Sequence, residues 1–247
     1  MINKIPVFIF ILMLFNSCVG TKKLYNGLTK ESSTLEYLYD SKFKDGSKTD
    51  TIKINKPLIV DLKLTKSGNL KKIKASTLPL IIYTSWKSEH TYSVGQNVIK
   101  EDISDFVRKT LINEFCRSSS IFAGSTSNSN FELQIEIDSI GAHGPYYSNG
   151  SFLYLLLVYS YSIAEYAGPG IAYSKLNYQL KNREQILKQG TFKKEIATEP
   201  LKNNFQSTKE LRKFYSSQLT EALSFTLKTN IEAIVNEIDN YLYNTAD

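Results

Sequence analysis

The chain has 247 residues, of which 42% are hydrophobic and 22% are charged, and its formal net charge is +6 at pH 7. That length suits one generous domain, or a domain with a tail. The positive charge is spread out and no nucleic-acid-binding motif is present, so nucleic acid is excluded as an expected partner. Sixteen tyrosines and thirteen phenylalanines favour β-structure.

The amino terminus has the pattern of a secretory signal peptide. One positive charge in Met1–Lys4 precedes the apolar run Ile5–Phe15, which is shorter than the about 20 residues that span a bilayer. The run ends in Leu14-Phe15-Asn16-Ser17-Cys18. This sequence resembles a lipobox, in which the cysteine thiol receives a diacylglycerol before the peptidase cuts. We predict a lipoprotein signal peptide over residues 1–17 and lipidation of Cys18; the alternative is a simple signal peptide with a chance cysteine.

The residues after the cysteine predict the location of the protein. By resemblance to known sorting rules, Val19 in place of aspartate favours the outer membrane, and the absence of an acidic cluster favours the periplasmic side. Residues 18–55 are polar and predict a lipid-anchored tether, followed by a single domain over residues 56–247. Cys116 is interpreted as a small buried hydrophobe rather than a redox thiol, and no intramolecular disulfide is possible once Cys18 is lipidated.

The first half of the domain alternates between strand and helix patterns. Period-2 alternation predicts strands at Leu58–Leu64 and Leu78–Trp86, with a turn at Gly95. Apolar residues at helical spacing predict a helix over Glu101–Arg117, with acidic residues in its first turn. The clearest strand is Phe131–Ile137, which alternates apolar and acidic side chains.

The second half predicts a loop, a hairpin and a long helix. These elements are a loop at Gly141–Gly150, a strand at Ile171–Leu180, a turn at Asn182–Glu184, a return strand at Ile186–Ile196 with a bulge at Gly190, and a helix over Leu211–Leu242 that begins with a capping box at Ser207. Thr229-Asn230 is a candidate break in that helix. Together the elements predict an α+β domain, with two helices on one face of a mainly antiparallel sheet.

One segment, Phe152–Ile163, is far more apolar than the rest of the mature chain. Three interpretations compete: a buried strand or helix of the core, a surface that contacts a partner or dips into the membrane, and a full membrane span. The core interpretation is favoured and the span is the weakest, because Glu165 and the glycines that follow shorten the run. For a partner or membrane contact the candidate residues are Phe152, Tyr154, Leu155, Leu156, Tyr159 and Tyr161.

Nothing in the sequence predicts catalysis. His90 and His143 fall in predicted turns, and no cluster has metal-ligand spacing. Asp138 and His143 with a nearby serine are a weak hydrolase hypothesis. We expect no enzyme activity, no metal and no cofactor. The basic runs near Lys72 and Lys194 are interpreted as solvated strand faces, with anionic lipid as the alternative ligand.

The order of elements resembles a known group of proteins. The residues that carry the resemblance are the Ile103–Phe115 helix stripe, the Ile121-Phe122 step, the Phe131–Ile137 strand, the Tyr178–Phe192 hairpin and the Leu211–Leu242 helix. After a lipobox, this layout resembles the small envelope lipoproteins of the transport-auxiliary and YajG-like group, and more loosely the amino-terminal domain of TolB. The apolar insert at residues 152–166 departs from the simplest members.

The resemblance implies a non-enzymatic accessory subunit that docks on an envelope transport or assembly complex, with an envelope protein as its partner. It supplies no catalytic residues. The alternative is a carrier of lipid or glycolipid, with the sheet and the apolar segment lining a pocket. In either case the Cys18 anchor would contact membrane lipid.

Overall fold

The computed structural model describes residues 28, 34–38, 70–78, 82–96, 98–118, 131–155, 158–201 and 207–245. The elements within them are β1 (Leu70–Leu78), β2 (Ile82–Val94), α1 (Ile103–Ser118), β3 (Phe131–Leu155), β4 (Val158–Ala167), β5 (Ile171–Asn182), β6 (Gln185–Ala197) and α2 (Thr208–Thr245). Neighbouring strands are antiparallel throughout this part of the chain, so the predicted α+β class is confirmed. The signal peptide, Cys18 and the predicted Leu58–Leu64 strand lie outside the described residues.

The sheet is organised around β3, which is 25 residues long. Its first half pairs with β5, and its second half pairs with β4 on that same side and with β2 on the other. The strand order is β1-β2-β3-β5-β6, with β4 attached to β3. The sheet thus has a main part, in which the first half of β3 pairs with β5 and β5 pairs with β6, and a four-stranded extension. We call this extension the arm: residues 70–78, 82–89, 147–155 and 158–166.

The helices cover one face of the main part. The long helix α2 packs across β3, β5 and β6, and α1 packs against α2. The fully buried stripe of α2 repeats every three or four residues and consists of Leu211, Tyr215, Leu219, Leu223, Leu227, Ile231, Ile234 and Ile238. It joins a single core with the buried positions of the sheet, such as Ile135 and Leu176. The predicted pair of helices on one sheet face is confirmed.

Several local predictions are confirmed by hydrogen bonds. The Glu210 N–H donates to Ser207 Oγ (3.2 Å), as a capping residue requires. The α1 terminus is capped by Asp102, whose Oδ1 accepts the N–H groups of Ser104 (2.8 Å) and Asp105 (3.1 Å). The turn between β5 and β6 is also where the sequence predicts it.

The predicted loop at Gly141–Gly150 is wrong, because this stretch lies inside β3 and pairs with strands on both sides. Its glycines serve close packing. A Cβ on Gly144 would collide with the Tyr215 hydroxyl of α2 and lie 2.7 Å from the Gly170 Cα. The Tyr215 hydroxyl donates instead to the Pro145 carbonyl (3.2 Å). Glycine here therefore admits a helix tyrosine and a neighbouring connection, and does not form a turn.

Three further predictions need correction. The predicted strand Leu78–Trp86 straddles the reversal between β1 and β2. The irregularity in β6 lies at Leu187 and not at Gly190, which makes room for the ring of Tyr178. Helix α2 runs unbroken through the candidate break, because the amide of Asn230 donates into the sheet rather than back to its own helix.

Two described pieces of the predicted tether contact the domain. Leu28 and Leu35 are buried in the core. The Tyr92 hydroxyl donates to the Leu28 carbonyl (3.2 Å), and the Glu36 N–H donates to Ser224 Oγ (3.2 Å). The predicted boundaries of signal peptide, tether and domain stay predictions, but the chain is already bonded to β2 at Leu28 and to α2 at Glu36.

Candidate functional site

The end of the arm carries no charge. The sequence from Asn149 to Ala164 contains no acidic or basic residue, and neither does Ile82–Trp86 on the neighbouring strand. These stretches pair with one another, so the uncharged residues form one continuous end of the sheet. In a chain with 22% charged residues, this concentration of uncharged residues marks the arm as the leading candidate for a contact surface.

The described apolar side chains of this end are largely exposed. Tyr159 is 73% exposed, Tyr161 52% and Leu153 37%. Phe152 lies opposite Tyr161 and is half-buried. The interpretation of this segment as buried core is therefore wrong for its described side chains; of the strand and helix that it left open, the structure has the strand. The physical reason is topological, because β3 and β4 extend past the stretch of sheet that α2 covers.

The remaining predicted contact residues are placed only in part. Tyr154 and Leu155 belong to β3, opposite Tyr159 and Val158 in the register. Their side chains, and Leu156 altogether, lie outside the described part of the chain. No helix within the described ranges is long and apolar enough to cross a membrane.

The base of the arm holds a buried ion pair. Glu165 of β4 is 4% exposed. Its carboxylate accepts hydrogen bonds from Arg212 Nε (3.0 Å) and Nη2 (2.5 Å) on α2, and from the Tyr146 hydroxyl (2.5 Å) on β3. Burial, followed by the hydrogen bond to Glu165, raises the pKa of Tyr146. This cluster ties the arm to the first turns of α2.

Sequence reasoning missed this cluster. The sequence pattern identified Glu165 only as a charged residue that ends an apolar run. An acid inside such a run needs a cation or donors if it is buried, which was the available signal. Its partner Arg212 is 47 residues away, and no local pattern could identify it.

Both histidines lie in strands, so their predicted placement in turns is wrong. His90 is in β2 opposite Tyr146, and its Nδ1 is buried without a hydrogen-bond partner among the described residues. Burial lowers the pKa of His90, and the charge of Glu165 partly offsets that effect. His143 is in β3, with its ring edge against Tyr173 at 5.9 Å between centroids. Each histidine has a paired strand on both sides, so neither can lie in a turn.

The face of the main sheet opposite α2 is polar and internally paired. Its cross-strand contacts join Lys175 to Asp138 (3.2 Å), Asn177 to Glu136 (3.1 Å), Lys181 to Gln134 (2.8 Å) and Thr191 to Asn177 (2.8 Å). Asp138 thus bonds to a lysine and is not brought to His143, which leaves the hydrolase hypothesis without its central contact. Among the described residues, no three His, Cys, Asp or Glu side chains are grouped to hold a metal ion.

Comparisons with known proteins assign no family to the chain. No family model and no curated protein matches the chain. Among solved structures, the chain is similar to protein XCC0632 from Xanthomonas campestris, described under the family name DUF330. The match has 14% sequence identity, covers 60% of this chain and 68% of that chain, and has a TM-score of 0.35. A likeness at this level supports no argument about fold or function.

Proposed function

We propose that the protein is a lipoprotein held on the outer membrane by lipid on Cys18, facing the periplasm. There it serves as a non-enzymatic accessory or interaction subunit of a cell-envelope transport or assembly complex. The observation that carries this proposal is the arm, an exposed uncharged surface built on a well-packed scaffold. Single exposed apolar residues are common on proteins, but a continuous uncharged sheet end is typical of a contact surface.

The packing of the domain favours an interaction role over the alternative role of lipid carrier. A carrier needs an apolar cavity. The described face under α2 is filled by helix side chains such as Leu223 and Ile231, which are fully buried. The opposite face carries paired polar groups such as Lys175 and Asp138. Neither described face of the main sheet offers an apolar lining for a ligand.

The buried ion pair supports a scaffolding role for the same region. Glu165 is satisfied by Arg212 and Tyr146. All three polar groups are already engaged with each other, so their evident effect is to fix the direction of the arm relative to α2. A fixed arm presents a defined surface to a partner, which lowers the entropy lost on binding.

The test is to crosslink native membranes, purify the protein with its anchor, and analyse the chain and its companions by mass spectrometry. We expect a mature chain that begins at Cys18 with a diacylglyceryl modification, which Cys18→Ala abolishes. We also expect one envelope protein to recur at a constant ratio, with crosslinks that map to defined positions. An unmodified amino terminus would contradict the anchor, and the lack of a recurring protein would contradict the accessory role.

A further inference from the structure

We propose that the end of the arm lies in the headgroup region of the same bilayer that holds the Cys18 lipid, so that two separate contacts hold the domain at the membrane. This inference rests on the proposed function for the anchor. The ligand of the end of the arm is the lipid surface itself, and the envelope protein of the proposed function is then expected on the remainder of the arm. The described residues that make the contact are Leu153, Tyr159, Tyr161 and the half-buried Phe152.

The aromatic residues at this end are suited to a membrane interface. Tyr159 and Tyr161 alternate along β4, so they lie on one face of the arm, with exposed fractions of 73% and 52%. Leu153, on the other face, is 37% exposed and lies opposite Ser160. Tyrosine has an apolar ring and a polar hydroxyl, and it is enriched where hydrocarbon meets water. Both faces thus offer apolar groups, with only uncharged serines between them.

Positive charge lies directly behind the uncharged end. The first charged residue of β2 beyond Trp86 is Lys87, which is exposed and lies opposite Asn149. The neighbouring β1 carries Lys71, Lys72 and Lys74 in its sequence at about the same level of the sheet, and Lys71 lies opposite Glu89, so lysines outnumber acids on these two strands there. A lysine near a membrane surface is attracted to anionic headgroups by about 1 kcal/mol. An uncharged end followed by lysines therefore complements an anionic bilayer in both hydrophobicity and charge.

The contact must be shallow. The arm is an open sheet, and backbone groups at an open edge cannot be satisfied in hydrocarbon. Residues 149–155 of β3 extend about 23 Å at 3.3 Å per residue. Only the outer part of that length can enter the interface, at the depth of about 5–10 Å typical of monotopic elements.

The anchor and the arm can reach the same plane. Leu28 is fixed beside Tyr92 of β2, and the ten residues from Cys18 to Leu28 span at most about 35 Å. Along β2, the ten residues from Tyr92 to Ile82 at the end of the arm measure about 33 Å. A bilayer that touches the end of the arm is therefore within the extended reach of a lipid on Cys18.

The experiment uses the mature chain, residues 18–247, with Cys18→Ala so that no acyl chain contributes. It is titrated with vesicles of phosphatidylethanolamine and phosphatidylglycerol at three to one. Binding is measured by sedimentation.

The decisive variant is Tyr159→Asp/Tyr161→Asp, and its matched control is Phe225→Asp on α2, where the phenylalanine is 50% exposed. We expect the arm variant to lower the vesicle partition coefficient about tenfold or more, while the control leaves it unchanged. The single variant Tyr159→Asp is expected to reproduce most of the loss, which provides a test if the double variant does not fold.

Two results would overturn the inference: no partition of the parent chain onto vesicles, or equal losses in the arm and control variants. Crosslinking of the arm to an envelope protein together with indifference to vesicles would assign the arm to a protein partner instead. These outcomes are separable from failure of the anchor, because the chain tested carries no lipid. Vesicle binding can fail in a protein whose Cys18 is lipidated in cells, and can succeed in one whose Cys18 is not.

Discussion

Replacement of Arg212 by methionine tests whether the buried ion pair holds the arm to the helix. The Glu165 and Arg212 side chains are 3% and 17% exposed. The arginine makes two of the three hydrogen bonds on the carboxylate, and Tyr146 makes the third. Methionine keeps most of the buried volume but leaves a carboxylate in the protein interior without a cation.

The expected loss in the free energy of unfolding is about 3–5 kcal/mol, the range for breaking one side of a buried pair. For a domain of this size, each kcal/mol lowers the Tm by about 2–4 °C. The double variant Arg212→Met/Glu165→Gln removes the stranded charge, so we expect it to regain part of the loss. The coupling between the two substitutions should then be about 2 kcal/mol or more.

The assay is urea unfolding followed by far-ultraviolet circular dichroism, on the mature chain with Cys18→Ala. The matched control is Arg108→Met, which breaks a surface pair with Asp105 whose side chains are 43% and 59% exposed. We expect the control to change the free energy of unfolding by less than about 1 kcal/mol. The reasoning is refuted if Arg212→Met is no more destabilising than Arg108→Met.

Three further predictions concern the packed core. Gly144→Ala should destabilise the domain by about 1–3 kcal/mol in urea unfolding, because the added Cβ would collide with the Tyr215 hydroxyl. Gly95→Ala is the control and should be near neutral, because nothing lies within 4 Å of a Cβ there. Equal effects of the two substitutions would contradict this packing. Burial raises the pKa of Tyr215 above its ordinary 10.0, so above pH 10 the tyrosine ionises in the unfolded state before it does so in the folded state, and the free energy of unfolding falls as the pH rises. Tyr215→Phe should make that fall less steep by about 1.4 kcal/mol per pH unit. An unchanged pH dependence would argue against burial. Asn230→Ala removes two hydrogen bonds from the buried Asn230 amide to Ser174 (3.0 and 2.8 Å) and should cost about 1–3 kcal/mol, and a neutral result in thermal unfolding would show that the pair is dispensable.

Alternation of apolar and polar side chains predicted strands correctly where the same alternate positions stayed buried, and failed where the buried positions changed from odd to even numbers. From Leu133 to Ile137 the odd positions are buried, but the register shifts between Ile137 and Ser139. Beyond this bulge the even positions are buried, as at Ala142 and Tyr146. The phase change, together with the glycines, broke the period-2 signal and produced the predicted loop. No local sequence signal specifies this bulge, which lies in the pairing of β3 with β5.

The long helix was predictable and its contacts were not. A stripe from Leu211 to Leu242 at helical spacing is a local signal, and so is the cap at Ser207: the helix begins at Thr208, directly after that cap, and ends at Thr245. Polar Asn230 suggested a break because asparagine is a weak helix former. Its partner Ser174 lies in the sheet, so the reason for a buried asparagine is tertiary and invisible in a local window.

The apolar segment illustrates the limit of hydrophobicity as a guide to burial. Phe152–Ile163 has the composition of core sequence, and the prediction left strand and helix open, of which the strand is found in its described residues. Whether such a strand is buried depends on which elements cover it. The described part of α2 lies over the main sheet and leaves Tyr159 and Tyr161 exposed. Composition thus located the candidate contact surface, and topology decided that it is a surface.

The most direct test of the proposed function is the intact mass of the protein extracted from its native membrane with detergent. We expect a chain that starts at Cys18, lacks residues 1–17 and carries a diacylglyceryl group on the cysteine, and we expect Cys18→Ala to release the protein from the membrane fraction. A chain with an unmodified amino terminus, or one that starts at any other residue, would contradict the lipid anchor and the membrane-bound role built on it.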